Sequence, residues 1–257
     1  MVHGDVRRML LNMKALNEGS RALSSYISMQ LDYATYGEGE EQVKGEALAA
    51  LMTPVAKAFF TDLGFENTVT GQQVFGGHGY IREWGQEQLV RDARITQIYE
   101  GTNGIQAMDL LMRKVAGSKG ALLTVFTDEV NMFIESNKDD QAMNEFIAPL
   151  AEALTDLTEL TADLLAKSRS DINELGASAN DYLHVFGYTA MAFVWAKMAQ
   201  ASLLQQQSNG ESGEDFYKSK LHTARYFFTR LLPRRLSLIA SAKSGSDCLF
   251  AINDELF

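Results

Sequence analysis

Gln73-Val74-Phe75-Gly76-Gly77-His78-Gly79-Tyr80, Arg91-Asp92-Ala93-Arg94-Ile95 and Tyr99-Glu100-Gly101-Thr102-Asn103-Gly104-Ile105-Gln106 are the three runs on which the fold turns. Each sets helical sequence against a sharp corner, and none follows a strand, so the glycines are not a Rossmann fingerprint. Upstream, Asn67 to Phe75 reads as a short helix. Val55, Phe59 and Leu63 before it repeat every four residues, with Thr53 as a cap and Pro54 at the first helical position, where its missing N–H costs nothing. Val43 to Met52 forms a separate helical stretch behind the polar loop Gly37 to Glu41. Farther back, Val6, Leu10, Met13, Leu16, Leu23, Ile27 and Leu31 lie on one face of a long amphipathic helix, with Asp5 as its N-cap.

Downstream, Gln86 to Ile98 is helical, and Thr102 or Asn103 caps a further helix that reaches about Val115. The loop Ala116 to Gly120 marks a domain boundary, giving domains over 1–116 and 121–257. The second contains helical stretches over Leu122 to Ser136, Asp139 to Ser168, Asp171 to Gln207 and Glu214 to Ser241. Pro149 starts, breaks or kinks the second of these, Pro233 divides the last, and Ser208 to Gly213 is a polar gap. No strand pattern of useful length appears. The fold class is all-α, a helical bundle followed by a second antiparallel helical bundle.

Composition agrees with this: Pro occurs three times in 257 residues. The single cysteine, Cys248, excludes an internal disulfide and suits no metal cluster. It reads as a small buried apolar residue in a reducing, cytoplasmic setting. No run of about 18 apolar residues is present, so no membrane span is expected. MVHGDVRRML has no secretory h-region. The net charge of −10 excludes nucleic acid as a natural partner. Ala121 to Tyr182 holds thirteen Asp/Glu against three Lys/Arg, while Glu214 to Lys243 holds seven Lys/Arg against two acids. These opposite clusters are expected to face one another within the fold.

Two segments carry candidate chemistry. Gly76-Gly77 is either a helix-ending turn or a stretch of bare backbone N–H groups that a phosphate or nucleotide can approach. Glu100 follows the apolar pair Ile98-Tyr99 at the entry to a helix. It is either a capping acid or, if its pocket is dry, a base. Desolvation strengthens a carboxylate as a base, and it outweighs the opposing helix end, worth roughly 0.3–1 kcal/mol.

The ordered set QVFGGHGY, RDARI and YEGTNGIQ, spread over Gln73 to Gln106, closely resembles the signature of the acyl-CoA dehydrogenase family. The helical pattern from Asp5 to Val115 is similar to that family's C-terminal domain. The second half resembles the extra helical domain of a longer subfamily that includes enzymes of 3-methylmercaptopropionyl-CoA. The resemblance implies FAD-dependent α,β-dehydrogenation of an acyl-CoA thioester, with Glu100 taking the α-proton. Tyr99 and Gly101 would border the substrate. Thr102, Asn103 and Gly104 would contact FAD, and Gln73, Val74, Phe75, Gly76 and Gly77 would reach the FAD of a neighbouring subunit. A homodimer or larger homo-oligomer is implied, as is an electron-transfer acceptor, itself a flavoprotein. Gly104 stands where relatives commonly carry a longer polar residue, so no side-chain contact to the flavin is expected there. His78 is expected to take no part in catalysis.

The same resemblance implies that the sequence begins inside the third of three domains, so the isolated chain is expected to bind FAD weakly or not at all. Two other readings stay open. One is a non-catalytic helical assembly module in which Glu100 is only a cap. The other is an acyl-CoA oxidase, which shares the base but passes electrons to oxygen.

Overall fold

Helix-favouring sequence with almost no proline leaves the backbone one economical way to satisfy its hydrogen bonds. The computed structural model describes residues 3–208 and 214–256, and among these no strand occurs. The first half is built on an antiparallel hairpin of α1 (Gly4–Tyr36) and α2 (Glu40–Val74). The two helices approach tightly at Gly45, where a Cβ would lie 2.7 Å from the Ala34 nitrogen. Two short 3-10 turns, Gly76–Tyr80 and Arg82–Trp84, lead into α3 (Gln86–Ile95). After a loop comes α4 (Asn103–Met108), which widens into a π-helical stretch over Asp109–Ala116.

The second half contains α5 (Ala121–Asn137), α6 (Asn144–Lys167) and α7 (Asn173–Ser208). Then follow α8 (Glu214–Tyr226) with its π-helical end Phe227–Leu231, α9 (Arg234–Lys243) and α10 (Asp247–Phe250). The polar gap beginning at Ser208 falls almost wholly outside the described residues.

α7 is the axis. Every residue from Val185 to Ala196 is buried, the mark of a helix surrounded on all sides. It packs against α1, α2 and α4 as well as α6, α8 and α9, so one core runs through both halves. Its large side chains, Phe186, Phe193 and Trp195 among them, each contribute about 1.5–3 kcal/mol by leaving water. At its most crowded points the helix relies on glycine, since a Cβ at Gly187 would sit 2.5 Å from the Phe59 ring.

Several local expectations are corrected. Asp5 does not cap α1. His3 precedes the helix, and Asp5 sits in its first turn, accepting from Arg8 at 2.8 Å, where an acid still complements the helix end. Pro54 does not open a new helix: α2 runs unbroken from Glu40 through Pro54 to Val74. Buried Leu51, Met52, Val55, Ala58 and Phe59 hold both sides of the proline in one core, and the Thr53 hydroxyl bonds to the Ala49 carbonyl at 2.7 Å. Tertiary packing thus overrides a local breaker. α6 likewise passes through Pro149. Pro233 does divide its segment, standing at the N-cap of α9. Cys248 is exposed rather than buried, because α10 contributes no buried residue.

The charge clusters meet as expected at two places. Arg225 grips Glu145 through bonds of 2.8–3.0 Å, and buried Arg235 reaches Glu152 and Asp156 on α6. Arg234 and Lys220 instead pair with Glu66 and Glu18 of the first half. α2 is long and apolar enough to cross a membrane by length and composition alone, but half of that stretch is buried inside this fold.

Candidate functional site

α3 ends at Ile95, and the chain turns through the loop that carries Glu100 before α4 begins. The Asn103 N–H donates to the Gln97 carbonyl at 3.1 Å and closes the loop at its base. At the tip Glu100 has φ 53, in the left-handed region that side chains with a Cβ avoid, and Gly101 follows at φ 85. Gln106 donates to the Glu100 backbone carbonyl at 3.3 Å. Thr102 is the cap of α4, its hydroxyl accepting from the Ile105 N–H at 3.4 Å.

The loop is tied down from below by a carboxylate on α2. Asp62 Oδ1 accepts from the Gln97 amide at 2.6 Å and from the Asn103 amide at 2.7 Å, and its Oδ2 faces His184 Nε2 of α7 at 2.9 Å. Asn103 also donates to the Ala58 carbonyl and to Thr61, and it accepts from Lys57 at 2.7 Å. Its amide is therefore fully engaged by α2. Burial pushes the Asp62 carboxyl up, but the bonds from His184, Gln97 and Asn103 outweigh that and hold it below the usual carboxylate range.

A carboxyl lowered in the folded state adds stability above its unfolded value, and this is lost as pH falls through the folded one. In thermal unfolding, the stability gap between the wild type and Asp62→Asn should shrink once pH drops below about 4. A gap that stays constant into acid would remove Asp62 as an ionised anchor.

The predicted site residues fall into two groups. Tyr99, Glu100, Gly101, Thr102 and Gly104 lie at the surface, and Asn103 beneath them. Gln73, Phe75, Gly76 and Gly77 are exposed at the other end of α3, with Val74 partly buried. Two 3-10 turns and α3 lie between the groups along the chain, and no hydrogen bond or ion pair joins them. The dry pocket expected around Glu100 is not formed by these residues alone: Glu100 is exposed, and Ile98, Tyr99 and Ile105 beside it stay 46%, 50% and 61% exposed. Gly76 has φ 59, and a Cβ at Gly76 or Gly77 would meet nothing within 4 Å, so that turn offers open backbone.

An open cleft of about 550 Å³ lies alongside, lined in part by Asp62, Arg94, Gln97, Thr102, Gly104 and Asn180 of α7. Sequence reading missed Lys57, Asp62, Gln97 and His184. No local signal marks them, since Asp62 is 41 positions from Asn103 and 122 from His184. Among the described residues no group of three or more His, Cys, Asp or Glu is placed to hold a metal.

Comparison with known proteins assigns the two halves separately. Residues 1–115 match the family "Acyl-CoA dehydrogenase, C-terminal domain", and residues 126–253 match "Acetyl-CoA dehydrogenase C-terminal like". The 3-methylmercaptopropionyl-CoA dehydrogenase of Ruegeria pomeroyi is 36% identical over 90% of this chain and 39% of its own length. A butyryl-CoA dehydrogenase of Syntrophomonas wolfei is 29% identical over 99% of this chain and 42% of its own. The broad-specificity linear acyl-CoA dehydrogenase FadE5 of Mycobacterium tuberculosis is 30% identical over 90% and 39%. The crystal structure of Caenorhabditis elegans ACDH-11 in complex with C11-CoA shares the fold, with a TM-score of 0.71 and 20% identity over 95% of this chain and 39% of that one.

An all-helical bundle closed by a YEGT loop is thus the class defined by both fold and sequence. The chain belongs to the acyl-CoA dehydrogenase family, and it spans about two-fifths of the length of these relatives.

Proposed function

We propose that this chain is the C-terminal part of an FAD-dependent acyl-CoA dehydrogenase and supplies the base, Glu100, for α,β-dehydrogenation of the thioester. The observation that carries this reading is the backbone at Glu100. A side chain with a Cβ in the left-handed region costs roughly 1–2 kcal/mol, and such strain gathers at functional sites. Among the described residues its carboxylate has no hydrogen-bond or ion-pair partner, while the loop beneath it is bonded firmly in place. The fold thus holds a free carboxylate outward on a fixed support.

An α-proton beside a thioester is weakly acidic, so its base must be aligned and shielded from water. Glu100 takes that proton, Gly101 lets the thioester approach the backbone, and Tyr99 borders it. FAD, when bound, supplies the acceptor for the β-hydrogen. The residues present fit part of a flavin site. Gly76, Gly77 and Gly104 turn bare backbone outward with no neighbour in the space a Cβ would fill, Gln73 and Phe75 stand exposed with Val74 beside them, and the Thr102 hydroxyl keeps its proton free to donate. Asn103 serves this site by anchoring the loop, because its own amide is engaged.

The separation of the two groups by α3 suits a glycine turn that serves the flavin of a neighbouring subunit. Phe75 and Trp84 near the glycine turn, and Ile98, Tyr99 and Ile105 at the Glu100 loop, are exposed apolar side chains of the kind that are covered in an assembled enzyme. Electrons then leave through a flavoprotein acceptor. The test uses the full-length enzyme: an acyl-CoA thioester should yield the α,β-unsaturated thioester without matching peroxide. Stoichiometric peroxide in air would instead assign an oxidase.

The isolated chain should show no stoichiometric flavin band in its visible spectrum after purification, since only part of the site is supplied by these residues. A full band would mean that they suffice for the cofactor.

A further inference from the structure

We infer that His184, on α7 of the second half, is a positioning residue for the Glu100 loop and acts through Asp62. The inference rests on the reading of Glu100 as the base.

The geometry gives Asp62 two jobs. Its Oδ1 gathers both ends of the loop, accepting from Gln97 at 2.6 Å and Asn103 at 2.7 Å, so Glu100 is the midpoint of a segment whose two feet share one oxygen. Its Oδ2 is turned the other way, onto His184 Nε2 at 2.9 Å. A carboxylate held at one oxygen alone can swing about its χ2 bond. Held at both, it presents a fixed acceptor to the loop. His184 is itself fixed, since its ring packs edge-on against Phe59 at 5.6 Å, one turn before Asp62 on α2.

The pair lies at the seam of the two halves. His184 and Asp62 side chains are only 17% and 24% exposed, so water replaces the imidazole poorly. Asn180, one turn earlier on α7, lines the same cleft as Thr102 and Gly104. The lowered Asp62 carboxyl agrees with a hub that stays ionised while it accepts three bonds. On this view the added helical domain does more than extend the core: it braces the loop that carries the base.

The experiment compares wild type, His184→Ala, His184→Gln, Asp62→Asn and Glu100→Gln in the full-length enzyme. Misplacing a reacting group by an ångström costs up to about 100-fold, so loss of one brace should lower kcat on the order of 10-fold in His184→Ala. KM for the thioester should stay within roughly twofold. The kinetic isotope effect with α-deuterated thioester should rise, because proton removal becomes slower than the other steps. His184→Gln, whose amide still donates to Asp62, should recover most of the rate.

In the present chain, amide exchange over residues 98–104 should quicken in His184→Ala while the core of α1 stays protected. Asp62→Asn should show the same signature and serves if His184→Ala does not fold. Unchanged kcat, isotope effect and loop exchange would overturn the inference. So would a loss of rate that Gln does not rescue and that leaves the isotope effect alone. If Glu100→Gln keeps full turnover, the base assignment itself fails. If Glu100→Gln is inactive and His184→Ala is normal, only the brace fails.

Discussion

Replacing Glu100 by Gln in the full-length enzyme should lower kcat by about 10³-fold, within the 10²–10⁴ range that a positioned general base contributes, and leave the fold untouched. The two halves of this expectation have separate grounds. Gln matches Glu in size and pays the same cost at φ 53, so the backbone has no reason to move. The carboxylate has no partner to lose among the described residues, since the bond at this residue runs from Gln106 to the backbone carbonyl. Only proton affinity changes. Thermal unfolding and the flavin spectrum should therefore match the wild type while enoyl thioester formation collapses. Glu100→Gly is the complementary variant: it relieves the left-handed strain, so stability holds or rises by about 1 kcal/mol while activity is lost. Turnover that survived in Glu100→Gln would favour the assembly-module reading, although the cap of α4 is Thr102 and not Glu100.

What sequence could deliver here depended on how local the physics was. A cap for α4 at Thr102 or Asn103 and Pro233 as a divider are decided by neighbours within a few residues; of the two capping candidates the structure uses Thr102, and Pro233 stands at the N-cap of α9. Pro54 misled for the converse reason, and Pro149 does not break α6. Local chemistry says break, and a buried face on either side says continue. The character of α7 was hidden in another way. A helix buried on every side has no polar stripe, so its role as the axis of both halves is fixed only by what surrounds it.

The anchor beneath the loop is the extreme case. Asp62 looked like any acid on an amphipathic helix, yet its partners lie 35, 41 and 122 positions away. The exposure of Glu100 has a related root: a dry pocket needs covering surfaces, and Ile98, Tyr99 and Ile105 beside it stay exposed in this chain.

Gly187→Val should destabilise the chain by about 3 kcal/mol, toward the upper end of overpacking costs. Propensity argues the other way, since glycine inside a helix is about 1 kcal/mol worse than alanine. The contact distances decide the sign. A Cβ at position 187 would lie 2.5, 2.6 and 2.8 Å from three carbons of the Phe59 ring. That ring is fully buried and held edge-on by His184 and Tyr188, whose centroids are 5.6 and 5.1 Å away, so it has no room to retreat. Gly187→Ala should consequently lose about 1–2 kcal/mol despite its better propensity, and Val, with two further carbons, about 3.

For a chain of this size the Val variant should melt roughly 6–12 °C lower. Pairing Gly187→Ala with Phe59→Leu should cost less than the two changes separately, a coupling that a double-mutant cycle measures directly. An alanine variant as stable as the wild type would mean that the α2–α7 seam yields more easily than these distances allow. The same seam carries Asp62 one turn along α2, so a Phe59 ring pushed aside at Gly187 should also loosen the Glu100 loop. In the full-length enzyme the alanine variant should then lose rate as well as stability, and the rate should fall through slower proton removal rather than weaker thioester binding.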